Sequence, residues 1–490
     1  MHLVRDIEAG LPARDGRQGG SRSAGHARVR HILSAVTTVA VWLLLPSLAA
    51  AQMASVPEVR LELQGILESQ HQLQGQTGLV AAVRFPDGSI WEGVAGWADP
   101  TTGEELRVDH RFGFASITKT FVAAVVLQLV DEGVLDLGDS VGDFAGPFTY
   151  VNSSITIRQL LGHTSGVYNY TDHPDLVGLM RQDLNRVFSP EEMLAYFLEP
   201  PLYFAGSGAS YSNSNYIILQ IIVEAATGNA LGDEIRSRLL EPLRLTATTF
   251  GGDEPPNGAV PTTWSDLTGN GSLDNFSGLY LAVSHNSARA APGSMFSTVA
   301  DIASWAHHLF DPTMFTAPTR SNMLDWHALS GVGPVWTGYG LGVQQFMFDG
   351  TEAWGHSGWI SGSRSIMVYA PEYGFSVAAV DNDATSSHGL TAQAFVEYLR
   401  SLDYTTTAVE EPPGLHPVSV YPNPVRVGGQ LSLSRETDAR FELYDLLGRR
   451  VLVSSGDQEA VRLDATAPGV YIWRLVGTSE GGSGILNVSR

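Results

Sequence analysis

Residues Phe121-Val122-Ala123-Ala124-Val125-Val126-Leu127, followed by Leu129-Val130, form a helical stretch that is hydrophobic nearly all round. A helix without a polar face has to be enclosed, so this one is expected inside a core. It ends near Asp131-Glu132-Gly133, where glycine supplies the stop. Immediately before it stands Ser116-Ile117-Thr118-Lys119. Among 29 Lys plus Arg residues, Lys119 is the single lysine. Arginine keeps its proton in a protein, whereas a buried lysine is driven toward neutrality, so a solitary lysine points to proton transfer. Ser116 and Lys119 are three apart, which on a helix puts both side chains on one face and within reach. Serine precedes a given lysine by three about once in ten by chance, so the pair needs support from the rest of the chain.

A chain of 490 residues is long enough for two or more domains, each with its own core. It is globular by composition, with 43% hydrophobic and 16% charged residues. A net charge of −22 argues against nucleic acid and anionic membrane surfaces as partners, since the long-range field repels both. The chain has no cysteine, which excludes disulfides, thiolate nucleophiles and Cys-ligated metals.

At the N-terminus, Arg28, Arg30 and His31 precede a mostly apolar run from Ile32 to Leu48, broken by Pro46, and Ala49-Ala50-Ala51 offers a small-residue cleavage site. Residues 1–51 are expected to be a secretory signal, because the apolar core is short for a membrane span. Their removal takes the net charge from −22 to −25 and leaves no stable transmembrane segment in the mature chain.

An amphipathic helix is predicted over 58–76, then strands Leu79 to Phe85 and Ile90 to Ala95 joined by Pro86-Asp87-Gly88-Ser89, a hairpin signal. The chain is then mainly helical to about 245, including Ile155 to Leu161, Pro190 to Leu198 and Tyr216 to Ala226, the last closed by Thr227-Gly228. Loop is predicted over 251–275 and helix over Thr298 to Phe310. Residues 338–381 suggest three strands, Gly340 to Phe348, Ile366 to Tyr369 and Phe375 to Val380, before a helix over Thr391 to Leu402. The expected fold class is α/β (α+β): an antiparallel sheet built from both ends of the segment 58–404, flanked by helices, with a mostly helical domain inserted. A Thr-, Glu- and Pro-rich linker spans 405–417. Over 418–490 short strands alternate with turns: Val418 to Tyr421, Gln430 to Leu433, Arg440 to Tyr444, Val451 to Val453, Val461 to Leu463, Val470 to Val476 and Gly484 to Val488. That pattern predicts a small all-β sandwich.

A serine nucleophile needs a base, a proton route to the leaving group and donors for the oxyanion. Two further stretches offer them. Tyr211-Ser212-Asn213 lies in a Ser- and Gly-rich loop just before the Tyr216 helix, and His356-Ser357-Gly358 begins a Gly-rich turn leading to the strand from Ile366. Each has an ordinary reading as packing or turn. Taken as an ordered set, Ser116-x-x-Lys119, Tyr211-x-Asn213 and His356-x-Gly358 resemble the three active-site motifs of the class C β-lactamase and serine D-alanyl-D-alanine carboxypeptidase family, which includes related esterases. Further text agrees: Ile155 through Gly166, Leu240-Glu241-Pro242-Leu243, Ser297 through Asp301 and Tyr339-Gly340-Leu341-Gly342.

The resemblance covers roughly 60–402 and implies a β-lactamase/transpeptidase-like fold. It implies that Ser116 is acylated, Lys119 activates it and Tyr211 shuttles the proton. It also implies that Asn213 holds the substrate amide or Lys119, and that the N–H groups of Ser116 and Ser357 form the oxyanion hole beside Gly358. His356 stands where many β-lactamases have Lys, which resembles the carboxypeptidase branch. The base is open between two residues. Neutral Lys119 at pH 7 costs about 4 kcal/mol of desolvation and repulsion, whereas a charged Lys119 would lower the Tyr211 phenol and make that the base.

Several residues have plainer roles. His163 is expected to be structural, His307-His308 a helix surface and Asp381-Asn382-Asp383 a turn. Gly477-Thr478-Ser479-Glu480-Gly481 fits a nucleophile elbow only as a string, since no helix follows it. Arg364 is either a receiver of a substrate carboxylate or structural.

The C-terminal stretch resembles the sorting domain read by type IX secretion machinery. The resemblance rests on Tyr421-Pro422-Asn423-Pro424, Leu443 through Val451 and Gly469-Val470-Tyr471. It implies export to the cell surface or medium, with the secretion machinery as a partner. The expectation is an exported serine hydrolase acting on a small peptide, β-lactam or ester through an acyl-enzyme, with no cofactor and no metal. The rival is an idle binder of peptide or glycan using the same cleft.

Overall fold

The computed structural model describes residues 52–252, 254–329, 335–385, 387–402 and 404 and, beyond these, 420–421, 425–426, 430–433, 440–445, 450–454, 460–463, 467–476 and 482–489. The expected signal segment, the linker 405–417 and the string 477–481 lie outside the described residues.

Helix α1 (Pro57–Gln74) starts with proline at its first turn and stops at Gly75, whose φ of +68° is left-handed. Strands β1 (Gly78–Arg84) and β2 (Ile90–Asp99) follow as the predicted hairpin. Its turn is closed by Asp87 Oδ1, which accepts from the backbone N–H and the hydroxyl of Ser89. A short β3 (Glu104–Glu105) pairs with β2. The remaining strands of this sheet come from the other end of the domain: β4 (Trp336–Tyr339), β5 (Gln344–Phe348), β6 (Thr351–Ile360), β7 (Ser363–Ala370) and β8 (Phe375–Asp381). The order is β3-β2-β1-β8-β7-β6-β5-β4, antiparallel throughout, so β1 pairs with β8 and joins the two ends of the domain.

Alternation along the strands sorts two cores. Leu79, Ala81 and Val83 pack with Val377, Ala379 and α1 on one face, together with helix α6 (His388–Leu399). Val80, Ala82, Ala378 and Val380 point the other way, into the large helical core. That core contains α2 (Thr118–Asp131), α3 (Ser214–Thr227), α4 (Val283–Gly293) and α5 (Val299–Phe310). Every residue of α2 from Thr118 to Leu129 is buried, as its all-round apolar sequence requires. Trp305 on α5 stacks on Phe121 at 4.1 Å and donates from Nε1 to Thr120 Oγ1 at 2.8 Å, locking α5 against α2.

Three expectations need correction. The stretch read as one strand, Gly340 to Phe348, breaks at Gly342, which takes φ +83° and where a Cβ would lie 2.3 Å from Ala123 Cβ of α2. β6 was expected as a turn because of Gly355 and Gly358; it is a ten-residue strand. Those glycines serve close approach: a Cβ at Gly355 would lie 1.8 Å from Met367 O and one at Gly358 2.3 Å from Phe114 O. Within the expected loop 251–275, Trp264–Ser265 pairs with Asp274–Asn275. Helix α4 was not foreseen; it carries Pro292 and is broken at Ala290, with φ 16° and ψ −114°.

Beyond residue 419 the described strands form two sheets. One has three strands, Val420–Tyr421, Gln430–Leu433 and Ala460–Arg462. The other has five, in the order Val425–Arg426, Gly482–Ser489, Gly469–Val476, Arg440–Asp445 and Arg450–Ser454. Leu431, Phe441, Leu443 and Leu463 are buried, the interior such a module needs. Among the described residues, no helix is long and apolar enough to cross a membrane.

Candidate active site

Ser116 lies in a single tight turn, Ala115–Ile117, that runs into α2. The turn is held from several elements. Phe114 N–H donates to Met295 O at 2.9 Å, Ser365 Oγ donates to Phe114 O at 3.0 Å, and Thr118 Oγ1 donates to Ala115 O at 2.7 Å. Ala115 takes φ +49°, a left-handed conformation that costs a non-glycine residue about 1–3 kcal/mol. The strain is fixed in place by these bonds. Because the turn's first backbone bond runs from Ile117 N–H to Phe114 O, the Ser116 N–H is one of the orphan donors of a helix start.

Lys119 is fully buried one turn along. Its Nζ lies 3.0 Å from Ser116 Oγ and donates to Pro292 O at 2.6 Å. Burial, and the Arg289 guanidinium after it, hold the amine well below the usual lysine range. Nζ stands 4.9 Å from the centre of the Tyr211 ring. Burial pushes the Tyr211 phenol well above its ordinary value, only partly offset by the Ser116 hydroxyl. That phenol oxygen is shielded from solvent and, although close to Ser116, forms no complete hydrogen bond. Asn213 lines the same cavity, donating from Nδ2 to Thr171 Oγ1 at 3.0 Å, with Asn169 Oδ1 accepting from its backbone N–H.

His163 and His356 belong beneath the cavity floor. Ser212 N–H donates to His163 Nδ1 at 3.2 Å, so the His163 proton sits on Nε2, 3.2 Å from the Tyr339 hydroxyl. Tyr339 in turn lies 3.1 Å from His356 Nε2, and His356 Nδ1 is 2.6 Å from Ser357 O. One consistent set of protons runs from the Tyr211–Asn213 loop to β6. Both imidazoles are neutral, His356 pulled down to about 3 by burial and then by Lys119, and His163 well below its ordinary value by burial. The His163 ring also lies tilted against Tyr211, with ring centres 4.2 Å apart. Tyr339→Phe removes the middle of this chain and leaves two buried imidazole nitrogens unpaired, at about 1–3 kcal/mol each. The expected result is a melting temperature lower by several degrees, and an unchanged melting curve would refute the chain of bonds.

Ser357 and Gly358 line the cavity; His356 does not. The Ser357 N–H donates to Gln344 Oε1 at 2.8 Å, and its hydroxyl lies 3.0 Å from the same oxygen. Ser357 faces Ile366 and Trp359 faces Arg364 across β6 and β7. The Arg364 N–H turns away to Asp381 Oδ1 at 2.7 Å. Residues two apart in an antiparallel pair share one hydrogen-bonding state, so the Trp359 N–H also turns away from β7. It points off the edge of β6, where β5 has already ended opposite Gly355. The cavity beside it has a volume of about 650 Å³, with Ser116, Tyr211, Asn213, Gly358 and Trp359 in its wall.

Residues 63–397 match the beta-lactamase family model. The chain belongs to the beta-lactamase family. A second model, the secretion system C-terminal sorting domain, matches 419–482 and assigns the chain to export, at the cell surface or outside the cell. A family relative, penicillin-binding protein 4 of Amycolatopsis lactamdurans, is 28% identical over 69% of this chain and 86% of its own length. Esterase EstB of Burkholderia gladioli is 33% identical over 38% of this chain and 50% of its own. The crystal structure of a D-stereospecific amidohydrolase from Streptomyces sp. superposes with a TM-score of 0.60 at 30% identity, over 69% of this chain and 97% of that one. This beta-lactamase-family chain is a serine hydrolase.

Sequence reasoning missed four groups that the structure brings to the cavity wall or just beneath it: the Pro292 carbonyl, Arg289, Tyr339 and the Trp359 N–H. The last had a signal, since counting two along a strand from Ser357 reaches it, but only once β6 is known to be a strand. His307 and His308 lie half-buried on α5, while Asp381, Asn382 and Asp383 are buried. Asp381 Oδ1 accepts from the N–H groups of Arg364 and Ala384, and Asn382 Nδ2 donates to Trp97, Ala98 and Thr262 carbonyls.

Proposed function

We propose that the protein hydrolyses small amides or esters through an acyl-enzyme on Ser116, with Lys119 as the base. The carrying observation is the 3.0 Å contact between Lys119 Nζ and Ser116 Oγ at the foot of an open cavity. Burial favours the uncharged form of both Lys119 and Tyr211, which selects the amine over a phenolate as acceptor of the Ser116 proton. Ser116 Oγ bonds to the substrate carbonyl carbon as its proton passes to Nζ. The negative oxygen that forms is received by the N–H groups of Ser116 and Trp359. Tyr211 then passes a proton to the departing nitrogen or oxygen as its bond to the carbonyl carbon breaks, and recovers one from Lys119. Water attacks the ester by the reverse route and frees Ser116. Asn213 and Ser357, both in the cavity wall, orient the substrate's amide.

Within this class the D-stereospecific amidohydrolase likeness favours amides of D-configured residues, as amidase or carboxypeptidase substrates, over β-lactam turnover. A fluorescent phosphonate or penicillin is expected to leave a covalent mass on the Ser116 peptide, absent in Ser116→Ala. A folded protein that takes up no adduct from either probe is an idle binder, and the proposal fails. Comparison of D- and L-amino acid amides, p-nitrophenyl esters, D-Ala-D-Ala peptides and cephalosporins then selects the substrate.

A further inference from the structure

The cavity above Ser116 holds a cation that the acyl-transfer scheme does not use. Arg289 lies on α4, three residues before the Pro292 carbonyl that receives Lys119, and its side chain shares the cavity wall with Ser116, Gly293 and Ile360. Among the described residues it has no ion pair and no hydrogen-bond partner, and its Nη1 is fully shielded from solvent without an acceptor. The groups facing it offer no negative charge. Tyr170 donates its hydroxyl proton to Ala288 O at 2.8 Å, and the Tyr280 hydroxyl accepts from Gly113 N–H at 2.6 Å. Burial raises both phenols, so neither ionises near neutrality. His285 is buried and held well below its ordinary value by burial and by Arg289 itself, and Lys119 is the remaining neighbour. Asp172, on the same cavity wall, accepts from Asn169 Nδ2 at 3.0 Å.

A guanidinium presents a planar fork of five N–H donors suited to a carboxylate, and a shielded one without an acceptor is costly to keep. Burial pulls the Arg289 pKa down to about 10, so the charge persists at neutral pH. An arginine that nothing in the fold requires as a partner, at the edge of a ligand cavity, is a vacant half of an ion pair. We propose that Arg289 is an anion subsite that receives a carboxylate of the substrate, so that acidic amides or esters are preferred over their neutral analogues. This rests on the reading of the cavity as the acyl-transfer site, and refines it by substrate class.

The test separates the two. Binding of hippurate and of its neutral analogue hippuramide to the full chain is measured by calorimetry for the wild type, Ser116→Ala, Arg289→Gln and Arg289→Lys. A charge-assisted bond predicts that hippurate binds about 10- to 100-fold tighter than hippuramide in the wild type and in Ser116→Ala. Arg289→Gln abolishes the difference, and Arg289→Lys, which keeps the charge without the fork, retains part of it. Equal binding of the two compounds to the wild type, no binding of either, or a preference that survives Arg289→Gln overturns the subsite. Because binding needs no turnover, an Arg289-dependent preference in a protein that never acylates Ser116 supports the subsite and overturns the hydrolase reading alone.

Discussion

Lys119→Met is expected to lower turnover by about 10²- to 10⁴-fold, the range carried by a positioned general base. Methionine fills the fully buried slot with an unbranched chain of similar length, so the loss reports the missing lone pair rather than a cavity. Lys119→Arg is expected to do the same for a different reason: the charge returns, and the capacity to accept a proton does not. The pH dependence fixes the sign. Burial lowers the folded-state pKa of Lys119 below that of the unfolded chain. Between those two values the unfolded chain holds a proton that the folded one lacks, so stability rises with pH, by about 1.4 kcal/mol per pH unit, and levels off near ~10.4. The Pro292 carbonyl loses its donor in Lys119→Met at every pH, so that loss shifts the curve without tilting it. Denaturation curves from neutral pH to about 10 should therefore show the wild type gaining on Lys119→Met. Parallel curves, or a wild-type rate that appears only near an ordinary lysine's pKa of ~10.4, would show that Lys119 is charged at rest and remove it as the base.

Local chemistry was legible in the residues, and long-range placement was not. The i, i+3 spacing of Ser116 and Lys119 is a property of one helix, and the all-round apolar run after it predicts burial. Both follow from the short stretch formed by the Ser116 turn and α2, with nothing needed from elsewhere in the chain. Tyr211 and Asn213 lie in a Ser- and Gly-rich loop before a strongly apolar helix, α3, a weak signal alone that gains weight only from the ordered set of three motifs. The choice of base, by contrast, depends on how deep Lys119 and Tyr211 lie and on Arg289 from α4, more than 160 residues away, which no local pattern encodes. β6 was misread because Gly355 and Gly358 have the composition of a turn, while their physical role is to let Met367 O and Phe114 O come close. The same misreading bears on the proposed oxyanion donor: Ser357 N–H was expected to face the substrate, and it donates to Gln344 Oε1. His356 drew attention as a polar side chain in a cavity motif, yet pleating turns it inward to Tyr339. The sheet formed by the two ends of the domain was readable from the order of strand and helix patterns, a hairpin, a helical middle and strands again, and β1 pairs with β8 to close it.

The second large effect is expected at a residue without a side chain. In Gly358→Ala the new Cβ would lie 2.3 Å from both Phe114 O and Ser365 Oγ, and 3.1 Å from Ala115 Cβ. The Ser365 hydroxyl can rotate, but Phe114 O is backbone and belongs to the strained turn that aims Ser116. The clash is relieved only by separating β6 from that turn, and this moves the Trp359 N–H away from the Ser116 N–H. Two donors that must converge on one oxygen no longer do so. Loss of one oxyanion donor costs about 10²- to 10³-fold in turnover, and kcat rather than KM should carry it, because the oxygen is fully charged only in the tetrahedral intermediate. A strand residue that also clashes but lies away from the nucleophile supplies the control. Gly355→Ala meets Met367 O on β7 and should cost stability more than it changes the ratio of kcat to KM. If Gly358→Ala keeps its kcat, or if the two variants differ only in melting temperature, the Trp359 N–H is not the second donor. The negative oxygen must then be held from another wall of the cavity.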